Sequence, residues 1–323
     1  MNHHVLTGLD GQNPLAFFAA LGLLRVLDER LPDKQPRPRL HFVDDGRQTA
    51  HLTTHLTLEQ VCGLVLEDAA SELGAHALAL AYDEQGERAA PDSEGATCDL
   101  KPSPALARAF LQELASATAD RRSADLGAAF FSELVQDNND NTKPTALHFT
   151  AGQQKFLEMV RELRENLQRG HLEEALFGPW RSVDPLPSLS WDSTMARQYA
   201  LRAVDPSSEK RGSVAGANWL AVIGLTFFPV AARRGRLFTT GVKGGWKDST
   251  FRWPVWSVPC TRREAASLLR GDATSLAAHE RAALGVSQVF ECAIARSDQG
   301  GYGTFSPAAV VKAAPGPRER RRP

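Results

Sequence analysis

Twelve Lys and Arg residues stand against three acids between positions 197 and 263, and four of the chain's six tryptophans share that window. Ammonium and guanidinium groups neutralise phosphates, and indole faces stack on bases, so the combination is the chemistry of single-strand or RNA recognition. Lys210, Arg211, Arg233, Arg234, Arg236, Lys243, Lys247 and Arg252 are the candidate nucleic-acid-binding residues. Gly235, Gly241, Gly244 and Gly245 are interleaved with them. A basic, Gly-rich hairpin lets the backbone approach a phosphate chain that larger residues would keep at a distance. Of the four rings, Trp219, Trp246, Trp253 and Trp256, at least half are expected in the core, because Trp253-Pro254-Val255-Trp256 is an apolar run.

The rest of the chain has the opposite sign. Residues 1–196 hold 17 basic and 29 acidic side chains, so a net charge of −1 hides a polarised molecule with a polyanion-binding face beside an acidic remainder. Charge alone also admits an interaction module that docks an acidic protein.

Catalytic groups are harder to assemble. The nine histidines form no HExxH or HxH; His3 and His4 lie at the chain start, and His51 and His55, four apart, straddle a strand-to-helix junction. His148, in an Ala-Leu-His-Phe stretch, reads as a satisfied core residue. There is neither a GxxxxGK[ST] phosphate loop nor a GxSxG elbow. A metal-dependent nuclease would need converging carboxylates, for which Asp192, Asp205 and Asp248 are the candidates, with Lys210 or Lys247. Asp before Ser is equally a capping residue. The residues therefore predict a non-enzymatic binding protein with no metal site and no cofactor. Cys62, Cys98, Cys260 and Cys292 are dispersed without a CxxC pair, which argues against a zinc knuckle or disulfide framework. No secretory pattern and no run of 18 uncharged apolar residues occurs, so a cytoplasmic protein without a membrane partner is expected.

The elements that must position these groups read as an α+β chain of helices and short antiparallel strands, in one large domain or two closely packed lobes. The acidic lobe is expected at 1–187, the basic lobe at 188–312 and a disordered basic tail at 313–323. Asn13-Pro14 signals a helix start, and apolar spacing extends that helix over 14–31, after a short strand at 5–6 and a Gly-Leu-Asp-Gly turn. A hairpin is predicted at 39–53 around Asp45-Gly46, a helix after Thr57, and a loop over 83–104. Helices are predicted at 104–118, 123–136 and 150–169, the last stopped by Gly170, with a polar loop at 136–142. A prolyl linker, a helix over 213–228, strands at 236–242 and 250–258, helices at 262–270 and 273–284 and a final strand at 288–295 complete the reading. Phe17, Leu21, Leu24, Phe156, Leu163 and Trp219 fall on apolar helix faces and are predicted core.

Several segments carry a resemblance. The opening Leu6-Thr7-Gly8-Leu9-Asp10-Gly11-Gln12-Asn13-Pro14-Leu15-Ala16-Phe17, then Phe149-Thr150-Ala151-Gly152-Gln153-Gln154-Lys155-Phe156, Trp191-Asp192, Arg197-Gln198-Tyr199-Ala200-Leu201, Gly216-Ala217-Asn218-Trp219-Leu220-Ala221 and Phe251-Arg252-Trp253-Pro254-Val255-Trp256 resemble proteins of type I-G (formerly I-U) CRISPR loci. The resemblance implies RNA or DNA binding within an antiviral ribonucleoprotein. It implies as partners other effector subunits, or the helicase-nuclease of the locus, to which cleavage would then belong.

Overall fold

The computed structural model describes residues 1–116, 120–195, 212–245, 248–297 and 302–312. Strand β1 (Asn2–Asp10) leads into helix α1 (Pro14–Arg30). The Asn13 side chain accepts from Leu15 N at 3.0 Å, and proline at the first helical position needs no donor there. Every residue of α1 from Pro14 to Leu27 is buried, so this helix is the centre of the core rather than an amphipathic cover. β2 (Arg39–Asp44) and β3 (Gln48–Thr54) form the predicted hairpin, and β1 adds to β3, giving an antiparallel sheet in the order β1-β3-β2.

α2 (Leu58–Ala69) starts at Thr57 with a capping box closed by Gln60. After the short α3 (Ala75–Leu78) come α4 (Pro104–Leu114) and α5 (Arg121–Phe130). Several element boundaries differ from the sequence expectation, β1 among them, which runs to Asp10 through the turn expected there. The helix expected over 123–136 ends at Phe130, and β4 (Phe131–Gln136) pairs instead with β5 (Thr142–Pro144). The polar loop between them supports this turn, because Asp137 Oδ1 accepts from the backbone of Asn139 and Asn141. Further on, the helix expected over 150–169 is the shorter α6 (Phe156–Glu165), and a second helix not expected from the sequence, α7 (Arg169–Phe177), begins where it was to end. Gly170 does not stop the first helix; it sits in the first turn of the second, where backbone N–H groups lack intrahelical partners in any case.

α8 (Ala215–Gly224) is buried at every residue and lies against α1 in backbone contact. A methyl group at Gly22 would fall 1.8 Å from the Leu220 carbonyl oxygen, and one at Gly224 would fall 2.1 Å from that of Phe18. The hairpin β6 (Val230–Arg233) and β7 (Arg236–Thr239) follows, then β8 (Val242–Lys243) and β9 (Thr250–Trp256). α9 (Arg262–Arg270) and α10 (Ala278–Ala283) precede β10 (Val286–Arg296), β11 (Gly303–Phe305) and β12 (Ala309–Val310). The second sheet is antiparallel, in the order β11-β10-β9-β8 with β12 also on β10. Leu40 and Cys260 exchange backbone hydrogen bonds of 2.8 and 2.9 Å and so join the strand ends of the two sheets.

This is an α+β architecture, with 37% helix and 24% antiparallel strand in small sheets. One core cluster runs from Leu6 to Phe305 and draws on both sides of residue 187. The six residues predicted as core are all buried. No helix of the described residues is long and apolar enough to cross a membrane.

Candidate nucleic-acid interface

Two adjoining cavities of about 420 and 340 Å³ share Lys143, Pro144 and Arg296 and together form one groove. The β4–β5 hairpin and its loop supply one wall, β7 and the turn after β8 supply the other, and Arg296 at the end of β10 lies between them. Lys101, Lys143, Arg236 and Arg296 line it against one carboxylate, Asp137, already committed to its own loop. Exposed backbone at Gly244 and Gly245 and the half-exposed Phe238 ring complete the second cavity. Cations, an accessible main chain and one open aromatic face are the elements of sequence-tolerant single-strand binding.

Arg296 is held rather than mobile. Its guanidinium donates to the carbonyls of Ala146 at 2.7 Å and His148 at 3.2 Å and lies 5.5 Å from the Phe149 ring centre. Burial pushes its pKa down to about 10, which still leaves it charged at neutral pH. Beneath it, His148 is 4% exposed and its Nε2 lies 2.9 Å from both Asp99 Oδ1 and Thr150 Oγ1. Burial raises the Asp99 carboxyl, but His148 and the Leu100 and Phe156 backbones more than offset it and hold it below the ordinary range. Asp99 also accepts from Phe156 N at 3.2 Å, so one buried carboxylate caps α6 and fixes the floor of the groove. His148 is thus a satisfied core residue, as expected, although one edge of it lines the cavity.

The residues singled out from sequence are distributed unevenly. Arg233, Arg234 and Arg236 form the exposed tip of the β6–β7 hairpin, with Arg234 and Gly235 at φ +51° and +70° in its two-residue turn. Only Arg236 of the three lines the groove. Lys243 is committed to an ion pair with Asp272 at 3.1 Å and a bond to Ser275. Arg252 is half-buried and paired across strands with Glu291. Lys210, Arg211, Lys247 and Trp246 lie outside the described residues, as do Asp205 and the 313–323 tail. Lys101, Lys143 and Arg296 were missed because they stand outside the basic window or apart from any cationic run.

The tryptophan expectation holds for three of the four rings. Trp219, Trp253 and Trp256 are buried, with Trp253 Nε1 donating to Gly11 O at 2.8 Å and Trp256 Nε1 to Leu40 O at 2.7 Å. None of these three offers a face to a base.

Two of the nuclease candidates, Asp192 and Asp248, have structural partners. Asp192 Oδ1 accepts from Asn13 Nδ2, Thr194 N and Thr194 Oγ1, and Asp248 Oδ1 accepts from Gly245 N to close the glycine turn. The one grouping of three His, Cys, Asp or Glu side chains at metal-binding separation among the described residues contains neither. No family model, no curated protein and no solved structure matches this chain.

Proposed function

We propose that this chain is a non-enzymatic nucleic-acid-binding component of a type I-G CRISPR effector assembly, holding a single-stranded segment of RNA or DNA in the groove between the β4–β5 hairpin and the β7–β8 region. The observation that carries the binding reading is the convergence of Lys101, Lys143, Arg236 and Arg296 on one groove, beside open glycine backbone and the Phe238 ring. The assignment to that type of assembly rests on the sequence resemblance. Of the resembling segments, three fall on α1, α8 and β9, buried joints of the molecule, and so support a shared architecture, while 197–201 lies outside the described residues; the groove supplies the argument for binding.

The test is a fluorescence-anisotropy titration of labelled single-stranded RNA and DNA with the wild type and with Lys143→Ala, Arg236→Ala and their combination. Each phosphate contact removed should flatten the dependence of log K on log salt by about 0.7 for a single strand. Unchanged affinity and slope in the double variant would remove the groove from the reading. Coexpression with the neighbouring genes of its operon tests the assembly: copurification with RNA and other subunits is expected, and recovery of the chain alone counts against it.

A further inference from the structure

The solvent face of the first sheet brings together three histidines that are far apart in sequence. His41 and His51 are directly opposed on β2 and β3, and His3 on β1 is paired with Thr53, one step diagonal from His51. Alternation along each strand puts His3, His41 and His51 on one face, while Leu6, Leu40, Phe42, Ala50 and Leu52 go to the core. Ring centres are 4.9 Å apart for His3 and His51, 5.2 Å for His41 and His51, and 5.7 Å for His3 and His41. One nitrogen from each of the three lies within 4.8 Å of the others.

We propose that His3, His41 and His51 form a binding site for a divalent transition metal of the zinc class, with three imidazole nitrogens and one position open to water or an external donor. Tetrahedral zinc with Zn–N of about 2.0–2.1 Å separates its ligand atoms by about 3.3 Å. His51 Nδ1 and His3 Nε2 are already 3.2 Å apart, so that edge is preset, and a His41 nitrogen lies within 4.8 Å of the other two. Imidazoles bind metal when neutral. The Nδ1 of His41 is buried without a hydrogen-bond partner among the described residues, and a donor set left incomplete is what a metal or its bound water would satisfy. Arg39, on the same face of β2, is turned away to the Pro259 carbonyl and Glu264. Sequence spacing hides the site, because it is built by strand pairing rather than by a local motif.

The experiment titrates the full chain with Zn²⁺ by calorimetry and with Co²⁺ by absorption, whose visible bands are strong only in tetrahedral surroundings. One equivalent should bind, and His41→Ala and His51→Ala should each weaken it at least tenfold, while His279→Ala on α10 should not. Both test positions are on the solvent face, and far-UV circular dichroism and melting verify the fold of each variant; His3→Ala, the most exposed of the three, serves if either unfolds. Absence of binding by the wild type, retention of full affinity in His41→Ala and His51→Ala, or an equal loss in His279→Ala would each overturn the site.

Discussion

Asn13 Nδ2 donates to Asp192 Oδ1 at 2.8 Å across 179 residues of sequence. The same asparagine caps α1 through its Oδ1, and the same carboxylate oxygen holds the Thr194 backbone and hydroxyl, so two turns that begin distant segments are locked to one another. Next to this pair, Trp191 anchors its own segment through Nε1 to the Leu147 carbonyl at 2.9 Å. Asp192→Ala removes the acceptor of three donors, Asn13 Nδ2 at the start of the central helix and the backbone and hydroxyl of Thr194, and a loss of about 1–3 kcal/mol is expected. Chemical denaturation measures it. If the variant is as stable as wild type, the carboxylate has another role than the joint.

The contact between α1 and α8 predicts a sharper effect. With backbone carbonyls in the way at 1.8 and 2.1 Å, neither Gly22→Ala nor Gly224→Ala can be absorbed by a side-chain rotation, and the helices must separate. A cost of about 3 kcal/mol or more is expected for each, at the upper end of overpacking effects. A melting temperature within a degree of wild type for either variant would contradict the packing.

Phe156 marks a cavity-forming counterpart. It is 1% exposed, against Phe130, His148 and Trp191, with ring centres 5.7–6.1 Å away. Phe156→Ala should cost about 3–5 kcal/mol, read from the denaturation midpoint at constant slope.

How much of this was legible in advance follows from what makes each element. α1, the β2–β3 hairpin and α9 are specified locally, by Asn13-Pro14, by the Asp-Gly turn and by the Thr261–Glu264 capping box, and a linear reading finds them. β4 was read as helix because its residues fit either period, and only pairing with β5 decides it. The same limit governs the sites. The charge window pointed to the β6–β7 tip and to Arg236, but Lys101 and Arg296 enter the groove from 195 residues apart, and strand pairing alone assembles the three histidines.

A buried ion network went unseen for the same reason, and it contributes to the acid stability. Arg122, 2% exposed, donates from Nη2 to Asp68 Oδ1 at 2.8 Å and from Nε to Glu29 Oε2 at 2.8 Å, and Arg25 pairs with Glu29 and Asp125. Burial raises the Glu29 carboxyl, and Arg25 and Arg122 more than offset it, leaving it below its ordinary 4.5. A depressed carboxyl stabilises the fold above its unfolded value, and that contribution is lost as pH falls through the folded one. Urea midpoints should therefore hold from pH 7 to 5 and fall below about pH 4.5. Glu29→Gln should flatten that fall; an identical acid slope in the variant would place the titration elsewhere.

Within the basic region the structure ranks the cations. Lys243 and Arg252 already spend their charge on Asp272 and Glu291, whereas Arg236 is exposed at a hairpin tip and lines the groove. Lys243→Ala with Arg252→Ala should therefore weaken RNA or DNA binding less than Arg236→Ala alone, in the same anisotropy titration. The reverse order would move the interface to the outer face of β8 and β9.

The last expectation concerns cleavage. Two-metal or one-metal hydrolysis of a phosphodiester needs carboxylates converging on an ion, and here Oδ1 of Asp192 is bound to Asn13 and Thr194, Oδ1 of Asp248 closes the Gly245 turn, and the two belong to no metal-binding grouping among the described residues. Among the described residues the trio able to hold a metal is made of histidines on the other sheet. Mg²⁺ and Mn²⁺, which favour oxygen ligands, should accordingly leave labelled single-stranded DNA, duplex DNA and RNA intact under conditions where the chain binds them. Gel electrophoresis after prolonged incubation reads the result. Cleavage abolished by Asp192→Asn or Asp248→Asn, with binding retained, would show that these carboxylates bind a metal as well as their structural partners and would make the chain a nuclease.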